Sequence, residues 1–363
     1  MTLRRRRTWA ATAIGSAILA TVTLLAVQGC SADPAADAAT SARHVVTFAM
    51  AEQVYAAYLK ASDEAAATGN ETQALNLASA AQWAQLKGQY TALATAGTPV
   101  PRYRYGTPVF YIPALAGYPE WFVAAVPRQT VTDGRPGDRP GDRPGDRQGA
   151  PVNTLLLFTR LSATDTRTGA TVPWTLSGSA VLAGALPVIA RDSDGYAIDV
   201  TTTDPTLLLR PDVVGATQAA VVDQGPASPA TAVISDGPQT TGLYSAQAAV
   251  AATQQARGLQ YEWLLQGAAF PEFEFRLVGG GALVLYGMYL NTTNEHLNLV
   301  PGSPIPVPAA FTPLLAAPTE VGYHAVYANW TYQFAAVDPP ATKHGAKVTI
   351  IASQGVPSYG HAY

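Results

Sequence analysis

Cysteine is almost absent: Cys30 is the single one in 363 residues. That excludes an internal disulfide and any zinc site built from several thiolates, so the fold must be held by core burial. Lysine is scarce as well, with only Lys60, Lys87, Lys343 and Lys347. None of them stands three residues after a serine, which excludes the Ser-x-x-Lys pair of penicillin-binding proteins and β-lactamases. There is no Gly-x-Ser-x-Gly elbow, no His-Glu-x-x-His and no P-loop. Gly279-Gly280-Gly281-Ala282-Leu283 lacks the spacing of a dinucleotide loop and predicts a turn. No cofactor or metal motif remains. A basic footprint for nucleic acid is missing too.

The one cysteine lies where a leader would end. Arg4 to Arg7 form a positive n-region, Ala10 to Val27 is uncharged and mostly apolar, and Gly29 precedes Cys30. This is the pattern of a secretory signal peptide. A run of that length could also span a bilayer, but the small, polar and acidic stretch after it has no Lys or Arg to stop transfer. Val27-Gln28-Gly29-Cys30 resembles the lipobox of bacterial lipoproteins, with Gln28 a departure from the usual residue there. The resemblance implies cleavage after Gly29, palmitate-type lipidation of Cys30 and a lipid anchor on the outer face of the cell membrane. Two or more acyl chains hold a protein on a membrane where one does not. Arg6-Arg7-Thr8-Trp9 also resembles a twin-arginine signal, so both that route and ordinary secretion fit. Losing the leader leaves 18 basic against 25 acidic residues, a net charge near −7.

Residues 30–44 are predicted as a flexible tether, too small and polar to bury a core. Helical spacing follows over Val46 to Ser62 and over Glu71 to Leu93, separated by Gly69-Asn70. From Arg102 onward the texture changes to β-branched and aromatic strands through Asp204, with turns at Thr168-Gly169 and Asp194-Gly195. Asp192-Ser193-Asp194-Gly195 is also a fragment of a calcium loop, without its closing glutamate. One insertion, 133–149, repeats Gly-Asp-Arg-Pro and predicts a disordered hairpin loop. A second unit then begins. Pro211 to Val222 is a short helix, 225–242 a Pro- and Gly-rich surface linker, and Tyr244 to Leu265 a helix. Four strands and a Pro-rich covering loop, 301–318, complete it.

Both halves thus place helices before an antiparallel sheet. The domain expectation is an α+β chain, 1–29 leader, 30–44 tether, 45–205 first unit and 206–363 second unit, each with helices packed on a curved sheet. The element order resembles two NTF2-like or cystatin-like cones, as in secreted actinobacterial lipoproteins of uncharacterised function. The excess of alanine and arginine suits such a source.

Five histidines are scattered. Glu295-His296 falls in a polar loop, and His324 at the end of an apolar strand face, where a core-edge position is expected. The strand around that residue alternates: Trp330, Tyr332 and Phe334 on one face, Tyr323, Tyr327, Asn329, Thr331 and Gln333 on the other. Together with Tyr103, Tyr105 and Trp121, the residues Tyr323, Tyr327, Asn329 and Gln333 form the candidate binding face. Aromatics mixed with amides suit a sugar, a peptide or a protein partner; aromatics in strands also fill cores. The first functional expectation is a non-enzymatic binding or scaffolding module of the cell envelope, facing an envelope protein or wall component. A cone domain with a small ligand in its cavity is the second. An envelope hydrolase using unpatterned carboxylates is the third.

Overall fold

The computed structural model describes residues 44–131, 150–297, 303–315, 322 and 324–362. The leader with Gly29 and Cys30, the tether before His44, the 133–149 repeat and Tyr323 lie outside them. His44 itself is no part of a free tether: its ring stacks on Tyr196 at 3.6 Å.

The first half opens with α1 (Phe48–Thr68). The Thr47 side chain accepts from the Met50 amide, which satisfies one of the orphan donors of the first turn. Gly69 ends the helix in the left-handed region at φ 65°. The expected second helix is two: α2 (Glu71–Asn76) and α3 (Ala80–Ala96). Between them Ala78 bridges Leu176, the Leu77 carbonyl accepts from the Leu176 amide, and the Ser79 hydroxyl bonds Thr175. Tertiary bonds to a strand thus replace helical ones. Five strands follow: β1 (Arg102–Tyr105), β2 (Val109–Tyr111), β3 (Glu120–Val131), β4 (Val152–Arg160) and β5 (Thr175–Leu182).

The second half begins with α4 (Pro211–Gln224), Pro211 standing in its first turn where no amide donor is needed. The expected linker 225–242 is instead packed. It forms two 3-10 turns, and Ile234 bridges Val348 and is buried. α5 is Thr241–Gln255, ten residues shorter at its C-terminus than expected. Gly258, at φ 78°, turns the chain, and the rest of the expected helix is strand β6 (Leu259–Gly267). β7 (Phe273–Arg276), β8 (Ala282–His296), β9 (Ala325–Asp338) and β10 (Thr349–Ala362) complete it. His296 therefore ends a strand, and His324 is exposed just before β9 rather than at the core's edge.

The ten strands make one antiparallel sheet in the order β1-β3-β4-β5-β10-β9-β8-β6, with β2 beside β3 and β7 beside β8. Each half uses the same pattern. A broken edge (β1 and β2, or β6 and β7) pairs along one long strand (β3 or β8), and two further strands follow in a meander. The halves meet where β5 and β10 pair through Leu182 with Ala352 and Val181 with Ser353. The boundary expected at 205/206 falls between β5 and α4.

Packing explains the long apolar runs. On β4, Leu155 and Leu157 face one side and Leu156 and Phe158 the other, and all four are buried. Such strands are covered on both faces and cannot alternate with polar residues. Leu155, Leu157 and Trp121 pack against Phe273, Leu283, Leu285 and Ala335 of the second half. Leu156, Phe158 and Phe122 pack against α1. In the second half Val284, Tyr286, Met288 and Phe334 pack against Val214, Val221 and Val222 of α4. The layers are therefore helix, strands, strands, helix. α3 lies at the join, and Gly88 sets its height: a Cβ there would strike the Pro357 carbonyl of β10.

Candidate binding site

α1, α2 and α3 do not close completely onto the strands of the first half. They roof a cavity of about 170 Å³. Its walls include Leu59, Leu86, Leu156 and Leu176, and its polar side is built by β1 and β3. Register brings these groups together. Tyr105 stands directly opposite Arg128, and Tyr103 two pairs further along on the same face, opposite Thr130. Diagonal neighbours across strands are within reach of long side chains, and the half-buried Arg128 guanidinium lies 4.7 Å from the centre of the Tyr103 ring.

Burial pushes the Tyr105 hydroxyl up to about 12, although Arg128 beside it, through charge and a hydrogen bond, pulls the other way. Burial likewise raises Tyr58 well above the ordinary phenol range. Both phenols stay protonated at neutral pH and can donate. At the rim Arg102 grips Asp63 with two bonds, Nε to Oδ1 and Nη2 to Oδ2, each 2.8 Å. Those bonds hold the Asp63 carboxyl below the usual carboxylate range. Arg128 forms no ion pair with a carboxylate among the described residues.

The candidate residues separate. Tyr103 and Tyr105 line the cavity. Trp121 is 6 % exposed, with its ring 4.9 Å from Phe273 and 4.7 Å from Phe275, in the core between the halves. Gln333 is buried under α3. Its Nε2 donates to Gln85 Oε1 at 2.7 Å and to Gln82 Oε1 at 3.1 Å, and its Oε1 accepts from the Ser179 amide. Gln85 in turn donates to the Thr331 and Gln354 carbonyls. This network is satisfied within the chain and ties α3 to the join. Asn329 lies in a shallow groove with Trp83, Tyr289, Asn291 and Tyr359, and donates to Asn291 Oδ1 at 2.6 Å. Tyr327 is exposed two residues away. Arg128 and Tyr58 escaped the sequence reading. The one local signal was an arginine within an otherwise uncharged stretch of strand.

The corresponding side of the second half is filled. Beneath α4, Val214, Val222 and Met288 are at most 1 % exposed. Two carboxyls are buried in this half. Burial and the neighbouring Glu272, Asp199 and Asp212 push Glu274 up to about 8, and its Oε1 has no hydrogen-bond partner among the described residues. Burial pushes Asp338 up to about 7 against the amide bond from Leu209. No helix among the described residues is long and apolar enough to cross a membrane.

Comparison with known proteins gives three findings. A protein of Streptomyces avermitilis named "Uncharacterized lipoprotein" is 31 % identical over 179 residues, covering 49 % of this chain and 44 % of that protein. The match thus spans less than half of the relative's length. No solved structure matches the chain. The family model described as "Domain of unknown function (DUF8094)" matches residues 42–356, nearly the whole of the described fold, and the chain belongs to that family.

Proposed function

We propose that this protein is a lipid-anchored, non-enzymatic binding module of the cell envelope, and that the cavity of its first half receives a small ligand. One observation carries the reading. Two halves with the same strand pattern differ in that the space under α4 is filled, while the space under α1 to α3 stays open and lined by Arg128 and four tyrosines. Pockets of this kind, apolar with a few placed polar groups, are where small molecules bind. The phenols hold their protons at neutral pH, which suits them to holding a ligand by donation rather than to taking protons from one. Helices ahead of a four-stranded meander in each half support the likeness to NTF2-like or cystatin-like cones.

The anchor is proposed at Cys30, with cleavage after Gly29 and the folded part on the outer face of the membrane. The name of the Streptomyces relative supports it. Metabolic labelling with a palmitate analogue should mark the wild type and not Cys30→Ala, which should leave the membrane fraction. A Cys30→Ala protein that stays labelled and membrane-bound would sink the anchor. For the cavity, benzyl alcohol should raise the melting temperature of the wild type and leave Ala66→Leu, whose added side chain fills the space, unmoved. Equal shifts in both would contradict it.

A second reading rests on the groove. Trp83 and Tyr359 are 45 % and 56 % exposed beside Asn291 and Asn329, a surface suited to an envelope protein or wall glycan. Trp83→Ala/Tyr359→Ala protein that still co-sediments with cell-wall material as well as the wild type would remove it.

A further inference from the structure

Resting on the reading of the first-half cavity as a ligand site, we propose that its ligand is a small apolar molecule bearing one carboxylate, bound by Arg128.

The charge inventory around the cavity is uneven. Two carboxylates stand near it, and each is already held: Asp63 by the Arg102 fork at 2.8 Å, and Glu71 by Lys87 at 2.7 Å. Arg128 is the third cation, and its neighbours are neutral. They are the Tyr103 ring, the Tyr105 hydroxyl and, through space, Tyr58. A cation partly removed from water and held only by a ring face and a phenol gains further from an arriving anion. A guanidinium matches a planar carboxylate with two parallel bonds. Tyr58 and Tyr105, both protonated donors, line the same space. One cation without a carboxylate partner among the described residues matches a monoanion; the second arginine at the rim has its fork occupied by Asp63, which disfavours a dianion such as a phosphate monoester.

Size narrows the class further. An engineered apolar cavity of about 150 Å³ holds one benzene molecule, and this one is about 170 Å³. The body of the ligand is then a single ring or a short alkyl chain, seated against Leu59, Leu86, Leu156 and Leu176.

Titration calorimetry with phenylacetate and its neutral analogue phenylacetamide tests this on the purified full chain. The wild type should prefer phenylacetate by about tenfold or more, the scale of a hydrogen bond to a charged group. Arg128→Gln should bring that ratio close to one, and Arg128→Lys, which keeps the charge but loses the fork, should fall between. Equal binding of both compounds by the wild type would overturn the carboxylate and leave the cavity reading standing. Failure of both to bind would overturn the cavity reading with it. A preference that survives in Arg128→Gln would show that another group holds the anion. Should Arg128→Gln not fold, the wild-type ratio and Arg128→Lys decide the matter.

Discussion

The two halves of the sheet solve the same packing problem with different residues. Both lay helices on the outer face of a four-strand meander with a broken edge, and both turn their inner faces toward a shared core. In the second half, α4 brings small and branched side chains, Val214, Ala219, Val221 and Val222, that settle into the sheet. In the first half three helices must span the same width. α3 is drawn to the join by Gly88 and its glutamines, and the space it leaves is lined by Tyr58, Tyr103, Tyr105 and Arg128. The second half buries Glu274 and Asp338 without a cation beside them, whereas the first pairs its buried Glu120 with Arg160 and keeps Arg128 at the cavity. A duplicated architecture can thus keep one copy for stability and leave the other open for a ligand.

The largest loss of stability is expected at the filled side. Phe334→Ala, removing a ring stacked on Tyr332, should cost about 3–5 kcal/mol, whereas Leu86→Ala at the cavity wall should cost no more than about 2 kcal/mol. Urea unfolding of the two variants measures the gap, and equal losses would mean that the two sides are packed alike.

The buried acids give the next effect. Glu274 has a folded pKa raised to about 8 from 4.5, and Asp338 one raised to about 7 from 3.8. Above the ordinary carboxylate range the unfolded chain releases these protons and the folded chain keeps them, so stability falls as pH rises from about 4.5 to about 8. Glu274→Gln should remove much of that slope and stabilise the protein at pH 8, by on the order of a few kcal/mol. Melting curves from pH 4.5 to 8.5 would show it; a slope unchanged in the variant would place the effect elsewhere.

Filling the open side should have the opposite sign from emptying the closed one. Ala66→Leu should gain about 0.5–2 kcal/mol, as cavity-filling changes do, and a loss in thermal unfolding would mean that the space is too narrow to take the side chain. The smallest effect belongs to the rim. Both partners of the Asp63–Arg102 pair are over a third exposed by side chain or close to it, so Asp63→Asn should cost less than about 1 kcal/mol. Because the Asp63 pKa is lowered, that contribution exists above the ordinary carboxylate range and disappears as pH falls below it.

Local pattern made much of this fold legible. Period-two alternation on β9 separates Trp330, Tyr332 and Phe334 from Asn329, Thr331 and Gln333, and the structure keeps them on opposite faces. What local pattern cannot carry is the partner. Leu77-Ala78-Ser79 holds no glycine or proline, and the break there comes from hydrogen bonds to Leu176, nearly a hundred residues away. β6 did carry a strand signal, Leu259, Tyr261, Trp263 and Leu265 alternating with mostly polar residues, but it follows an Ala- and Gln-rich helix and extends its apolar stripe. Gly258 was the stop. Gln333 belongs to a polar face by pattern and is buried because α3 crosses it. The cavity is the least legible feature, since Tyr58, Tyr105, Arg128 and Leu176 come from four elements that only the tertiary fold brings together.

Among the described residues the space under α1 to α3 is open and that under α4 is filled. Methyl-labelled protein titrated with phenylacetate and followed by NMR tests this difference most directly. Saturable shifts at Leu59, Leu86, Leu156 and Leu176 are expected, with Leu265, Met288 and Leu290 unmoved. Shifts that favour the second-half methyls, or none at any methyl, would contradict it.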